Sequence, residues 1–194
     1  MKNRLNHQQL LNTLNLRHVL FEANLSLEEQ FAFENKILRA IQQKRDQFII
    51  NMYDLTSKVY IKFSKSKKWA CDKKQLSQMP TNSLGHQLYQ FLEKHEFDLI
   101  PYVENHDVFH LIAQIQPNVK GEVGLQCLLY GNGKKSLFLF MSICAGLILA
   151  PEYYVYYLNC YKQGQTMNRF YDWDFEYLLK EDFQTGLLSL IYKK

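Results

Sequence analysis

Three side chains near the middle of the sequence have the types and the spacing of metal ligands. His106, Asp107 and His110 stand at positions i, i+1 and i+4. A helix of about 3.6 residues per turn places them at about 0°, 100° and 40°, on one side of its axis. Imidazole nitrogens suit zinc, iron and other first-row ions, and a carboxylate adds a negatively charged oxygen. The three residues therefore predict one ligand face for a divalent cation.

A fourth ligand is predicted to come from a second helix. Pro117 disfavours one helix that continues past it, so the chain is expected to turn and to begin another helix near residues 119–121. That turn would bring Glu122 back beside the first helix. Two histidines and two carboxylates leave room for water or for a substrate oxygen, as a catalytic metal site requires. Taken alone, the histidine spacing fits equally well two buried histidines that bond to neighbouring groups, or an exposed His–Asp pair.

The elements that must carry these side chains are predicted to be helices. Residues 1–79 contain neither glycine nor proline, and their apolar residues recur at helical spacing. The alternation typical of strands is rare, and no internal repeat or glycine-rich phosphate loop is present. A chain of 194 residues fits one domain. We expect an all-α, single-domain helical bundle over residues 1–194, with a helical scaffold at 1–79 and a core at 80–194 that holds the metal site between two helices.

Several local signals predict where helices begin and end. Thr81 or Ser83 can cap a helix after Pro80. The apolar stretch 137–150 is too short to span a bilayer of about 30 Å, so a buried core helix is favoured over a helix that dips into a membrane. A last helix is expected to begin near Trp173.

Composition and charge exclude several classes of protein. The chain is 47% hydrophobic and 22% charged, which is typical of an ordered globular protein and not of a disordered one. Its net charge is +4, and the one cluster of lysines, within 62–74, is predicted to be solvated because no nucleic-acid motif accompanies it. Four widely spaced cysteines favour a reducing compartment, and the polar N-terminus lacks the apolar core of a signal peptide. A cytoplasmic location is therefore expected.

The candidate ligands form a pattern that resembles a known family. His106-Asp107-x-x-His110, followed by eleven residues and then Glu122, resembles the H-D-x-x-H-(x11)-E signature of the coenzyme Q (ubiquinone) biosynthesis protein Coq-four family. Residues 79–91 are similar to its L-P-x-x-S-L-G-x-x-Y-x-x-F segment, and residues 172–179 are similar to its C-terminal D-W-E-x-L-L block. The resemblance covers roughly residues 75 to 190. The chain looks like a divergent, bacterial-type member, in which Gln114 stands where a glycine is common.

The resemblance implies an all-α protein in which these four residues bind a divalent metal, usually taken as zinc, near an apolar cavity for a polyprenylated aromatic ring. It implies a late step of ubiquinone synthesis, namely metal-dependent oxidative decarboxylation of a prenylated hydroxybenzoate-type precursor, which replaces the C1 carboxylate by hydroxyl. It also implies a part in organising the other enzymes of the pathway. Gly85 and Tyr89 are candidates for substrate or lipid contact, for which helix packing is an equal alternative. No catalytic residue is assigned.

The expected partners follow from the same resemblance. They are a polyprenylated aromatic lipid, other quinone-biosynthesis enzymes, a membrane whose inner face the protein would contact peripherally, and a second copy in a homodimer; nucleic acid is not expected. One alternative is a non-catalytic prenyl-lipid-binding scaffold with a structural metal, in which the stretch 137–150 lines a prenyl tunnel. A second is an HD-type metal phosphohydrolase, in which the His–Asp doublet would recruit other side chains, namely His86 or His95 and Asp172 or Asp174.

Overall fold

Helices make up all the regular structure in residues 26–63 and 67–192, which are the residues described in this computed structural model. Within those ranges, β-type pairing is limited to two isolated bridges, Ser83 with Asp182 and Met167 with Tyr192. The predicted all-α fold is therefore confirmed. The backbone contacts divide into two compact units, residues 1–53 and residues 54–194. The predicted division after residue 79 stays a prediction.

A single helix, α1 (Leu27–Phe63), accounts for most of the described part of the N-terminal third. Its start is fixed by a capping box, in which the Ser26 hydroxyl accepts a hydrogen bond from the Glu29 amide and the Glu29 carboxylate accepts one from the Ser26 amide. The lack of glycine and proline had predicted long helices here, and a helix of 37 residues agrees with that. The first 25 residues of the predicted scaffold lie outside the described residues.

Short helices with polar caps build the second unit. Ser83, Asn118 and Ser136 each accept a hydrogen bond from the backbone amide three residues later, which satisfies one of the free donors at a helix start. Ser83 had been predicted as a cap. The helices are α2 (Lys73–Ser77), α3 (Leu84–Lys94), α4 (Glu104–Ala113), α5 (Val119–Gly131), α6 (Leu137–Leu149), α7 (Tyr154–Thr166) and α8 (Ser189–Ile191).

Helix α5 is central to this unit, and nine of its 13 residues are buried. It packs most extensively against α7 and next against α6. The α5–α7 contact is close because glycines bring the two backbones together. A Cβ built on Gly164 of α7 would lie 2.0 Å from the carbonyl oxygen of Leu128, and one built on Gly131 of α5 would lie 2.1 Å from that of Tyr161. No larger side chain fits at either position unless the helices move apart.

Helix α6 corrects one expectation. It begins after the Ser136 cap and ends before Pro151, as the sequence predicts, but only Leu139 and Gly146 are buried. Its outer face is apolar and exposed, so the prediction of a buried core helix is wrong. Leu137, Phe140, Met141 and Ile148 lie along that face, with exposures of 75%, 55%, 61% and 77%.

The described helices include none that is long and apolar enough to cross a bilayer alone. Helix α6 and the segment Pro151–Thr166 reach the necessary length and hydropathy only together, and the pair is bent by 104°.

The C-terminal segment corrects a second expectation. The chain after Trp173 forms successive turns, and the next helical element is a π-helical segment at Phe183–Leu188. It begins there because the Asp182 carboxylate accepts hydrogen bonds from the amide and the hydroxyl of Thr185, at 2.7 and 2.8 Å. The buried side chains of Phe175 and Leu179 reach the core from these turns.

An apolar cavity of about 390 Å³ lies in this C-terminal segment. An apolar cavity had been predicted near the metal ligands, but none of the four predicted ligands lines this one. Its walls are Trp173, Asp174, Tyr177, Leu178, Glu181, Gly186, Leu187 and Leu190.

Candidate metal centre

The candidate ligands lie on α4 and α5, which meet through a short turn. His106 and His110 are on α4, and Glu122 is in the first turn of α5. The predicted break at Pro117 and the predicted helix start near residue 119 are both confirmed, since α5 begins at Val119. The turn returns the chain, so that residues 16 positions apart in the sequence come into contact.

The two imidazoles and the carboxylate converge on one point. His106 Nε2 lies 3.0 Å from Glu122 Oε2, and His110 Nε2 lies 3.0 Å from Glu122 Oε1. The two Nε2 atoms are 3.2 Å apart. One ligand atom from each of the three residues lies within 4.8 Å of the others, and they form a group that can hold a metal ion.

These separations fit a bound divalent cation. An ion that holds two nitrogen ligands at about 2.0–2.1 Å in tetrahedral geometry separates them by about 3.3 Å, and the histidine nitrogens are 3.2 Å apart. Two neutral imidazoles and one carboxylate are also a donor set that zinc and other first-row ions accept. Three protein ligands leave coordination positions for water or substrate. The residues present therefore fit the metal that the sequence pattern predicts.

The orientation of His110 is fixed by its surroundings. Its side chain is 1% exposed, and its Nδ1 lies 3.0 Å from the carbonyl oxygen of Ile115. Because a carbonyl can only accept, Nδ1 carries a proton, and Nε2 is the nitrogen that faces Glu122 and that would ligate a metal. The Phe91 ring stacks on the imidazole, with centroids 6.3 Å apart and planes 17° apart. His110 is therefore held in the orientation that a metal requires.

A residue in the left-handed helical conformation ends α4 and turns the chain towards α5. Gln114 ends the helix with φ of 54°, a conformation that costs less for glycine because glycine has no Cβ. The next residue, Ile115, donates its amide hydrogen to the carbonyl oxygen of His110, at 3.1 Å. Gln114 therefore adopts a backbone conformation that glycine would adopt at lower cost.

The charges of the cluster shift each other's pKa values. Burial alone would raise the pKa of Glu122, but hydrogen bonds from His106 and His110 outweigh it and hold the pKa of that carboxyl well below its ordinary range. Burial alone would lower the pKa of His106, but the hydrogen bond to Glu122 reverses this and raises it. Glu122 therefore stays ionised and offers a charged oxygen to a cation.

Asp107 lies near the cluster, but its carboxylate is not among the three converging ligand atoms. Burial raises the pKa of Asp107 to about 6, and the nearby charges of His106 and His110 limit the rise. The role of Asp107 as a ligand stays a prediction.

The other residues singled out in the sequence lie elsewhere. A Cβ on Gly85 would meet Met79 Sδ at 2.2 Å, and the Gly85 amide donates to the Leu179 carbonyl, which supports helix packing as its role. Tyr89 is half-buried, with its ring 5.9 Å from that of His86. The residues of the phosphohydrolase alternative do not join the metal group among the described residues, and Asp172 pairs instead with Arg169.

Two charged residues close to the centre were not anticipated. Glu104 is buried, and its carboxylate accepts a hydrogen bond from the Trp69 amide at 3.1 Å. Lys134 follows α5 and places its ammonium 5.1 Å from the centre of the Phe109 ring. Glu104 could have been found from the sequence, because it stands two positions before His106. Lys134 could not, because nothing in its sequence position indicates that it approaches α4.

Comparisons with known proteins include a likeness to a solved structure. No protein-family model matches this chain, and the search of characterised proteins finds no match. The solved structure is that of a protein from Nostoc punctiforme PCC 73102 that carries the provisional name of a ubiquinone biosynthesis protein. It is 17% identical, the alignment covers 71% of this chain and 76% of that one, and the TM-score is 0.47. The function proposed below rests on the motif and the geometry of the site, and not on this likeness.

Proposed function

We propose that this chain is a metal-dependent protein of quinone biosynthesis that acts on a polyprenylated aromatic ring. One observation carries the proposal: the widely spaced residues of the H-D-x-x-H-(x11)-E pattern supply three ligand atoms within 4.8 Å of one another. The pattern was recognised from spacing in the sequence, whereas the convergence is a property of the folded chain. The sequence pattern and the folded geometry thus indicate the same residues, as an ion-binding role requires.

The proposed reaction is oxidative decarboxylation at C1 of a prenylated 4-hydroxybenzoate. The bond from C1 to the carboxyl carbon breaks and carbon dioxide leaves, while C1 gains an oxygen atom from dioxygen. The acid plus half an equivalent of dioxygen then gives the hydroquinone plus carbon dioxide, so that the ring is oxidised and dioxygen is reduced. A divalent ion would act as a Lewis acid that binds and polarises a substrate oxygen. Zinc has no redox chemistry, so dioxygen is the oxidant.

One ligand of the site is buried and fixed in orientation, and the other two are partly exposed to an approaching substrate. His110 is almost fully buried, and its hydrogen bond to Ile115 fixes its orientation. The His106 side chain is 37% exposed and that of Glu122 is 21% exposed. A ring that approaches the centre would therefore come from the side of His106. The protein's part in the reaction is to orient the ring and to limit the access of water.

The direct test is aerobic turnover of a defined acid. Protein loaded with one equivalent of zinc is incubated with 3-geranyl-4-hydroxybenzoate, and products are identified by liquid chromatography with mass spectrometry. We expect geranylhydroquinone and carbon dioxide with the wild-type protein and neither with Glu122→Gln. Tight retention of the geranyl compound without conversion would overturn catalysis in favour of the non-catalytic lipid scaffold. Release of phosphate from a panel of phosphate esters would instead revive the phosphohydrolase.

The exposed face of α6 supports a second part of the proposal, namely contact with a lipid surface. Leu137, Phe140, Met141 and Ile148 form an apolar strip that carries no charge. Apolar strips of this kind on an exposed helix are typical of proteins that lie in the membrane interface. The protein would then bind a prenylated substrate at the membrane, in which the prenyl chain is dissolved.

Vesicle flotation tests this contact with two matched variants. Met141 on α6 and Leu190 on α8 are both 61% exposed, so an aspartate at either position replaces an equally exposed apolar side chain. We expect wild-type protein and Leu190→Asp to float with phosphatidylcholine vesicles, and Met141→Asp to remain in the dense fraction. Equal flotation of all three proteins, or none by the wild type, would contradict a role for α6.

A further inference from the structure

Lys134 occupies a position that the backbone fixes firmly. The turn before it contains Asn132, whose buried side chain donates to the carbonyl oxygen of Asn168 at 3.0 Å and accepts from the amide of Phe170 at 3.0 Å. Gly133 follows with φ of 104°, and the Lys134 amide then donates to the carbonyl oxygen of Leu129 at 2.9 Å. The backbone that carries the Lys134 side chain is therefore held in place by hydrogen bonds on both sides of the turn.

The ammonium of Lys134 reaches the helix that carries the two histidine ligands. Its Nζ lies 5.1 Å from the centre of the Phe109 ring. Phe109 precedes His110 directly and follows His106 by three residues, so its ring flanks the ligand face of α4. The lysine therefore lies against the helix that carries two of the three ligands.

Lys134 has no anionic partner in the described residues. Its side chain is half-buried, and burial lowers the pKa of the ammonium. Within residues 26–63 and 67–192, no carboxylate forms an ion pair with it. A partly desolvated charge without a counter-ion destabilises a fold, and the contact with the Phe109 ring offsets only part of that cost. A bound carboxylate would supply the missing counter-charge. The neighbouring Lys135 is different, because it is exposed and lies 3.5 Å from the centre of the Tyr130 ring.

We propose that Lys134 is the substrate-binding residue that pairs with the carboxylate of an aromatic acid as its ring enters the metal centre. The inference rests on the proposed function, since it names the group that recognises the acid at that site. A charge-assisted hydrogen bond from an ammonium to a carboxylate is stronger than a neutral one, and partial burial of Lys134 strengthens it further. The decarboxylated product lacks the group that Lys134 binds, so product would exchange readily for new acid.

The test compares two ligands that differ only in the carboxylate. 3-Geranyl-4-hydroxybenzoate and 2-geranylphenol are titrated calorimetrically into wild-type protein and into the variants Lys134→Met, Lys134→Gln, Lys134→Arg and Lys135→Met, with and without zinc. We expect Lys134→Met and Lys134→Gln to lose about tenfold or more in affinity for the acid and little for the phenol. Lys134→Arg should retain most of the affinity for the acid, and Lys135→Met should match wild type for both ligands.

Stability and metal content separate this role from a structural one. Because Lys134 is partly desolvated without an anionic partner, Lys134→Met should unfold at the same or a higher temperature than wild type, with unchanged zinc content. Unchanged affinity for the acid in Lys134→Met, or an equal loss for acid and phenol, would overturn the assignment even if zinc binds as proposed. If wild-type protein binds no zinc but selects the acid through Lys134, the metal proposal fails and the lysine assignment stands.

Discussion

Replacing Glu122 by alanine should remove metal binding, with a loss of at least about a hundredfold in affinity. Among the described residues, Glu122 supplies the only carboxylate oxygens that contact both histidines, at 3.0 Å each. Without it, His106 and His110 are left as two neutral ligands with no charge to balance a cation. Elemental analysis of the purified protein, followed by titration with zinc against a competing chelator, measures the loss. His106→Ala should give the same result.

Two other acids near the site are tested beside Glu122, one as a control and one as a candidate ligand. Glu104 is buried two residues before His106 but bonds to the Trp69 amide, so Glu104→Gln should keep its zinc. Asp107→Asn decides whether that carboxylate completes the ligand set: a weakening similar to that of Glu122→Ala makes it a ligand, and a smaller one makes it a neighbour. One equivalent of zinc retained by Glu122→Ala would refute the centre described here.

Replacing Gly164 by alanine should destabilise the protein by about 3 kcal/mol or more. Its added methyl group would lie 2.0 Å from the carbonyl oxygen of Leu128 and 3.0 Å from the amide nitrogen of Asn132, both backbone atoms that cannot rotate away. Helices α5 and α7 would have to separate along their length. Chemical denaturation followed by far-ultraviolet circular dichroism measures the change in the free energy of unfolding.

Gly186→Ala provides the matched control for this prediction. A Cβ at Gly186 would lie 3.6 Å from Asp182 Cβ, which is ordinary van der Waals contact. Since alanine also lowers the entropy of the unfolded chain, this variant should be neutral or slightly stabilised. Equal stability of Gly164→Ala and Gly186→Ala would show that α5 and α7 do not approach each other as closely as described.

The metal centre was largely predictable because its geometry follows from local rules. A spacing of four residues places His106 and His110 on one side of any helix. Pro117 disfavours continuation of that helix, and Asn118 is a good cap for the next one, so the return of Glu122 required no knowledge of the rest of the fold. The all-helical class followed in the same way from the absence of glycine and proline in residues 1–79.

The features that were wrong or unforeseen depend on tertiary packing. The apolar composition of α6 favours a buried helix, and only the position of its neighbours leaves Met141 and Ile148 exposed. The expected helix near Trp173 is replaced by turns, although the four-residue spacing of the buried Phe175 and Leu179 also suits a helix. Lys134 and Phe109 are 25 positions apart in the sequence, 134 minus 109, because Phe109 lies in α4 and Lys134 follows α5. Their contact depends on how the two helices pack, and no spacing in the sequence predicts it.

The short turn between α4 and α5 limits what a bound cation can do for the fold as a whole. A metal that links His110 to Glu122 cross-links a loop of eleven intervening residues, and the entropy that such a link removes from the unfolded chain grows only with the logarithm of loop length. Distant segments gain nothing from it, because they are joined by the packing of α5 against α7. Removal of the metal should therefore loosen only the turn between α4 and α5, which would be visible as faster amide exchange near Ile115. The rest of the protein should stay folded and able to bind metal again.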